Sequence, residues 1–533
     1  MLTPFPSSIK FQDTGYFSKM MNDYLDRNEE LSRFYNNFPD LDGFQRQIEE
    51  KGNNYPDANR KVLSESLSTQ NEVVELSELS IENIGLLKNN NTFTITTGHQ
   101  LNLFTGPLYF LYKITSVINL SKLLKSKYPA FDFVPVYWMA SEDHDFDEIC
   151  YFNFKGNRLK WNRDSGGAVG RMSTEGLDEV LELFEKELGS GKNATRLKEL
   201  FRKSYLNHKD LSTATRYLAN ELFGDQGLVI VDGDDRHLKS LFAPNVQEEL
   251  LNQSCHSSVV KSSELLEKKY HAQVNPREIN LFYLGDQLRE RIVFEDGCYK
   301  VVQTDMEFTR DEILDELKNF PERFSPNALM RPLYQEVILP NLCYTGGGGE
   351  IAYWMQLKDY FEAVNVTFPI LLLRNSALLI SEKEVKKLAK LEISAADLFL
   401  KENELINKKV KEISDIEIDF SDEKEKIQGM FDSMKQVASK TDKSFIGAVL
   451  AQEKKQLNGL EKLEKRLLRA QKRKYSERVE RVTGIKEDLF PKQSLQERQA
   501  NFSEFYETHG NDLISILLQR LDPLKLEFDL IQI

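Results

Sequence analysis

Four short polar segments hold the residues whose types and spacing could do chemistry. Ser141-Glu142-Asp143-His144-Asp145-Phe146-Asp147-Glu148 gathers five carboxylates around one imidazole. Such a loop can hold a substrate amine, take a proton through His144 or a carboxylate, or bind magnesium through oxygen. An acidic helix start favoured by the helix dipole is the plainer alternative, and it accounts for Asp145 and Asp147 less awkwardly than for His144. Thr97-Gly98-His99-Gln100-Leu101-Asn102 sets a glycine and a histidine ahead of a helix, where free backbone N–H groups attract phosphate. The alternative is that Gly98 makes a turn and His99 caps the helix. In Thr345-Gly346-Gly347-Gly348-Gly349-Glu350 the glycines let a ligand meet the backbone before a helix that starts at Glu350, or they make only a flexible loop. Ile351 stands where a dinucleotide fingerprint needs its third glycine. Arg374-Asn375-Ser376 offers a guanidinium and a hydroxyl to phosphate, although a lone surface arginine is the commoner reading.

These segments need elements to position them, and three of the four follow a strand-like run. Thr92 to Thr96 alternates Phe93 and Ile95 with threonines and stops at Gly98. Phe131 to Met139, Gly227 to Val231 and Phe368 to Leu373 are the other apolar runs of strand length. The largely apolar segment from Leu108 to Leu124 reads as a buried helix. The window Leu101 to Leu120, with Asn102, Gly106, Pro107, Lys113 and Asn119, is too polar to cross a membrane. Strands separated by long helical stretches predict an α/β fold with an open, mostly parallel sheet, whose ligand sites lie beyond the C-terminal strand ends. Residues 8 to 88 have helical spacing, as in Phe17, Met20, Met21 and Tyr24, and form a helical preamble. Residues 151 to 215 and 241 to 330 exceed what simple crossovers need, so they are expected to be insertions forming a second lobe; they carry little chemistry that can be decoded.

From about Ser381 the composition turns to Lys, Glu, Leu and Ile, with no proline until Pro491, which predicts long helices. Leu460, Leu463, Leu467 and Ala470 form one apolar stripe, and Ile427, Met430, Met434 and Val437 form another one arm earlier. Residues 401 to 432 hold 6 basic and 10 acidic side chains, and residues 453 to 481 hold 11 basic and 5 acidic ones. Opposite net charge suits antiparallel pairing about a hairpin tip near Thr441 to Ser444. The expected division is a core at 1–385, an antiparallel coiled coil at 386–490 that makes a homodimer, and a segment at 491–533 that packs back on the core.

The chain of 533 residues has room for more than one folding unit. Its 70 basic residues against 84 acidic ones give a net charge of −14, which argues against nucleic acid as a partner and for small molecules. Cys150, Cys255, Cys298 and Cys343 are far apart, so neither a disulfide framework nor a zinc site is expected, and a reducing cytoplasm fits. Met1 to Ser7 lacks the basic and apolar stretches of a secretory signal. Gly189-Ser190-Gly191-Lys192-Asn193 imitates a phosphate loop, but Lys186 and Asn193 stand where glycine and Ser or Thr are required. Neither H-E-x-x-H nor G-x-S-x-G occurs.

Taken together, Thr97-Gly98-His99-Gln100 with Thr105-Gly106-Pro107-Leu108-Tyr109, and Val134-Pro135-Val136-Tyr137-Trp138-Met139-Ala140 running into Ser141-Glu142-Asp143-His144-Asp145, resemble the bacillithiol biosynthesis cysteine-adding enzymes. Phe324-Ser325-Pro326-Asn327-Ala328-Leu329-Met330-Arg331-Pro332 and Gly348-Gly349-Glu350-Ile351-Ala352-Tyr353-Trp354 extend the resemblance, as does the tail from Leu495-Gln496-Glu497-Arg498 to Gly510-Asn511-Asp512-Leu513. The resemblance covers nearly the whole chain. It implies a Rossmann-type core like that of class I nucleotidyltransferases, connective insertions, a dimerising coiled coil and a cytoplasmic ligase that adds L-cysteine to glucosaminyl-malate. The class I H-x-G-H motif has one counterpart here, His99, beside Gln100 and Asn102. The K-M-S-K-S loop is missing, with Arg374-Asn375-Ser376 its loose positional substitute, and no zinc site of the cysteinyl-tRNA synthetase kind is present.

The expected activity is amide formation driven by ATP, with magnesium. The expected catalytic residues are His99, Asp143 and His144. Gln100, Asn102, Glu142, Asp145 and Tyr353 are expected to bind substrate, and Thr97, Gly98, Gly347, Gly348, Gly349, Glu350, Arg374 and Ser376 to bind nucleotide. A non-catalytic nucleotide-binding or scaffold protein of the thiol pathway is the alternative.

Overall fold

A computed structural model describes residues 6–441 and 443–533, apart from the side chain of Lys443. The first five residues of the leader reading and Asp442 at the expected hairpin tip therefore lie outside the described residues. The central sheet has five parallel strands in the order Ile370–Leu373, Asn341–Gly346, Thr92–His99, Asp132–Met139, Val229–Asp232. Every residue from Thr92 to His99 is buried, as expected of a central parallel strand covered on both faces. The helix Tyr109–Lys127 covers one face through Phe110, Leu111, Ile114 and Val117, each fully or almost fully buried and each contributing about 1.5–3 kcal/mol of apolar burial.

Four core strands lie where the sequence places them, and the first runs on through Gly98 to His99 instead of stopping at the glycine. Asn341–Gly346 is an additional core strand, seated between Thr92–His99 and Ile370–Leu373. From Thr92–His99 the chain winds outward to one side and then returns to the other. The switch point falls between that strand and Asn341–Gly346, and this is where a crevice must open in such a sheet.

The two insertions form separate structures. The first contains the hairpin Tyr151–Phe154/Asn157–Lys160 and the helices Leu177–Glu187, Lys192–Phe201 and Leu211–Phe223. The second contains a five-stranded antiparallel sheet in the order Glu307–Phe308, Cys298–Val301, Leu288–Glu295, Leu281–Gly285, Phe324–Pro326. A third sheet joins the two ends of the chain: Ser8–Lys10 pairs with Glu527–Gln532, which pairs with Ser376–Ile380.

Beyond Ser381 the helices Ser421–Ala438 and Lys443–Lys474 form a hairpin. Ion pairs join the two helices, but in the sense opposite to the arms' net charges: Lys424 of the first meets Glu464 of the second at 2.7 Å and Lys435 meets Glu453 at 2.7 Å. Phe431, Ala438 and Val449 form the hairpin's own small core. Met430, Met434, Val437 and Leu463 remain exposed. The helix Gln496–Gln499 then returns to the core, where the Gln496 carboxamide bonds both the N–H and the carbonyl of Leu379. Among the described residues no helix is long and apolar enough to cross a membrane.

Candidate active site

A cleft of about 710 Å³ opens at the C-terminal ends of the central strands. Its floor is built from strand ends and the first turn of the long helix. Lys113, a single cation on the apolar face of Tyr109–Lys127, donates to the carbonyl of Gly98 at 2.6 Å and meets Glu350 at 2.7 Å. Glu350 also accepts from the Gly347 N–H at 2.8 Å and from the Tyr344 hydroxyl at 2.7 Å. Burial alone would raise the Glu350 carboxyl, but Lys113 and these donors outweigh it and hold it at about 2. Arg374 is buried, donates to Glu497 at 2.7 Å and lies 4.7 Å from the centre of the Tyr109 ring. Arg331 sits 5.6–5.9 Å from the ring centres of Trp138, Tyr344 and Trp354.

His99 packs against Tyr109 and Phe110 at ring distances of 5.5 and 5.0 Å. Burial first, then neighbouring Lys113, pushes its imidazole down to about 3. His99 is therefore a neutral ring at physiological pH and a weak proton acceptor. Its Nε2 is buried without a hydrogen-bond partner.

The opposite rim is acidic. Glu142 is buried against Lys239, and burial, opposed by that lysine, raises its carboxyl. Lys239 also donates to the carbonyl of Phe324 at 2.9 Å, tying the second insertion to the core. The Asp143 carboxylate accepts from Gln100 at 3.0 Å and from the His144 N–H at 2.7 Å. The first insertion pins this loop from outside: the Val169 N–H donates to the Asp143 carbonyl at 2.7 Å and the Gly170 N–H to the Ser141 carbonyl at 2.8 Å. A β-carbon on Gly170 would lie 2.6 Å from Ser141 Cβ, so only glycine allows that approach. Arg289 and Phe282 reach in from the second insertion, and Arg289 Nη1 lies 2.7 Å from His144 Nδ1.

Of the residues expected from sequence, the cleft brings together Gly98, His99, Gln100, Glu142, Asp143, His144, Gly347, Gly349, Glu350, Tyr353 and Arg374. Others lie elsewhere. Thr97 spends its hydroxyl on the Thr345 carbonyl at 2.7 Å, and Ser376 donates to Glu497 at 3.2 Å, so both hydroxyls hold backbone and side chains in place. Gly348 faces Met21 and Phe17. Asp145 caps the short helix Phe146–Ile149 through the Glu148 N–H. Asn102 lines a neighbouring pocket of about 310 Å³, which shares Gln100, Tyr109 and Arg498 with the cleft. Lys113, Arg289, Arg331 and Arg498 line the cleft without having been expected there, although Arg331 and Arg498 stand in segments that carry the family resemblance.

Two family profiles divide the chain. Residues 6–375 match "Bacillithiol biosynthesis BshC, N-terminal Rossmann-like domain" and residues 377–533 match "Bacillithiol biosynthesis BshC, C-terminal coiled-coil domain". A protein of Flavobacterium johnsoniae named "Putative cysteine ligase BshC" is 56% identical over 525 residues, covering 98% of this chain and 99% of that one. Proteins with the same name from Christiangramia forsetii and Salinibacter ruber are 56% and 30% identical, covering 98% and 87% of this chain and 98% and 87% of their own.

Proposed function

Because the chain belongs to the bacillithiol biosynthesis BshC family, we propose that it is a cysteine ligase that joins L-cysteine to the amine of glucosaminyl-malate, driven by ATP with magnesium in the cytoplasm. The observation that carries this reading is the opposed polarity of one cleft at the switch point of the sheet. Glu142, Asp143 and His144 face Lys113, Arg331 and Arg374 across it. Carboxylates suit an attacking amine and repel a triphosphate, while the cations suit carboxylate and phosphate.

In the proposed reaction the amine nitrogen bonds to the cysteine carbonyl carbon, one carboxylate oxygen leaves with the activating group, and the amine gives up a proton. ATP supplies the leaving group. Five cationic side chains line the cleft, Lys113, Arg289, Arg331, Arg374 and Arg498, and they are the groups available to negative charge. The proton falls to the Asp143 and His144 side, because His99 is held far too acidic to accept it. His144 Nδ1 faces the guanidinium of Arg289, which can only donate, so Nδ1 is unprotonated in this arrangement. We include in the proposal a homodimer through the exposed apolar residues of the helical hairpin.

Purified protein supplied with cysteine, glucosaminyl-malate and magnesium-ATP is expected to form bacillithiol, detected by mass spectrometry. No product with any nucleoside triphosphate, at protein concentrations at which the chain dimerises, would overturn the reading.

A further inference from the structure

Two buried guanidinium nitrogens on the cleft floor have no partner: Arg331 Nη2 and Arg374 Nε. Buried donors are rarely left unbonded, and a guanidinium desolvated without a carboxylate is costly. Arg374 has Glu497 on its other edge, whereas Arg331 forms no ion pair among the described residues and bonds only the neutral side chains of Gln335, at 3.1 Å, and Tyr353.

The space beside these guanidinium groups is kept open by two glycines, Gly98 in the strand Thr92–His99 and Gly347 just past the end of Asn341–Gly346. A β-carbon on Gly98 would lie 3.3 Å from the Tyr344 hydroxyl and 3.9 Å from Arg331 Nη1. A β-carbon on Gly347 would lie 3.4 Å from Glu350 Oε2 and 3.9 Å from Arg374 Nε. Neither glycine has a positive φ, so backbone conformation does not require them. What they provide is room.

We propose that Gly98, Gly347, Arg331 and Arg374 form a carboxylate-binding niche in the floor of the cleft. The pairing suits a single carboxylate better than a polyphosphate: at the niche Lys113 is matched by Glu350 and Arg374 by Glu497, and Arg331 is the one cation of the three without a carboxylate of its own. The planar fork of arginine matches a planar carboxylate. His99 Nε2, unpartnered in the same cleft, suits a ligand that carries an N–H or O–H beside its carboxylate. The niche deepens the function proposed above and rests on it for its role as part of the substrate site, since L-cysteine carries a carboxylate with an N–H beside it and the malyl group carries carboxylates. It also moves Gly98, Gly347 and Arg374 from nucleotide to substrate.

The test is isothermal titration of the full-length chain with L-cysteine, L-malate and magnesium-ATP, each alone. At least one of the two carboxylates is expected to bind, and which one binds identifies the source. Arg331→Gln is expected to weaken that binding by at least about tenfold, as for loss of a charge-assisted pair, with ATP affinity nearly unchanged. Gly347→Ala fills the niche without removing a charge and is expected to act the same way, which separates occupancy of the niche from any misfolding of the arginine variant. The niche is overturned if neither carboxylate binds, or if both substitutions weaken ATP and leave the carboxylates alone. Carboxylate binding that depends on Arg331 in a protein that makes no bacillithiol would keep the niche and discard the ligase.

Discussion

The guanidinium of Arg289 is shared between two groups of the second lobe and the core: it lies over the Phe282 ring at 4.0 Å and reaches His144 Nδ1 at 2.7 Å. Phe282 itself packs against the His144 ring at 5.7 Å. An inserted lobe thus sets the orientation of an imidazole that belongs to a loop of the core sheet. For His144 to take a proton at Nδ1, this contact must first break, so lobe and loop are coupled through one hydrogen bond.

Substituting Arg289 should therefore alter turnover and not only binding. Arg289→Gln keeps much of the side chain but loses the charge, and a hydrogen bond to a charged group contributes about 1.5–3 kcal/mol. We expect kcat/KM to fall by roughly tenfold to a hundredfold. Steady-state kinetics on glucosaminyl-malate will check this, and an unchanged kcat/KM would remove Arg289 from the site.

His99 makes a prediction about pH. Its folded value is depressed to about 3 from the ordinary histidine value, so the unfolded chain binds a proton that the folded chain refuses. The resulting stability is fully present above the unfolded value of about 6.5 and is lost as pH falls below it, by up to about 1.4 kcal/mol per pH unit until pH nears the folded value. His99→Asn should flatten that part of the acid limb in denaturant melts taken from pH 7 to 4. An imidazole NMR signal from His99 that titrates near pH 6 would contradict the burial argument.

Most of the core sheet, its middle strand included, was legible because Phe93, Ile95 and the apolar runs at 131–139 and 368–373 carry their pattern locally. Asn341–Gly346 was not, since Asn-Leu-Cys-Tyr-Thr-Gly neither alternates nor runs β-branched. Its leading Asn341 is buried and bonded on both sides, accepting from distant Thr96 at 2.8 Å and donating to nearby Glu336 at 2.6 Å. The acidic loop was legible for the same local reason as Phe93. The basic floor was not, because Lys113, Arg331 and Arg374 are separated by more than two hundred residues in places and meet only through the sheet topology. Lys113 was visible as a lone cation in an apolar run, but sequence alone could use it only against a membrane span. Ser376 and Thr97 were misleading because a hydroxyl beside a strand end can serve backbone as well as ligand.

The hairpin leaves Met430, Met434, Val437 and Leu463 exposed on helices that carry only a small core of their own. Long arms of this kind need further packing to be stable. A dimer in light scattering at micromolar concentration is expected for the native chain. Met434→Glu with Leu463→Glu should convert it to monomer while leaving the circular dichroism of the core intact; a double variant that still dimerises would place the interface elsewhere.

Asp143 tests the division of labour across the cleft. Its carboxylate lies on the acidic rim, bonded by Gln100 at 3.0 Å, with Glu142 adjacent in the chain and the cationic floor across the cleft. Asp143→Asn removes the charge but keeps the shape; its one oxygen can still accept from the His144 N–H, the bond from Gln100 is lost, and the backbone bonds from Val169 and Gly170 should hold the loop in place. An ammonium or amine loses its counter-ion, whereas a triphosphate loses a source of repulsion. Isothermal titration of the variant should therefore show weaker binding of the amine substrate, by about tenfold, with nucleotide affinity equal or slightly higher. Loss of nucleotide binding with amine binding unchanged would reverse the roles of rim and floor.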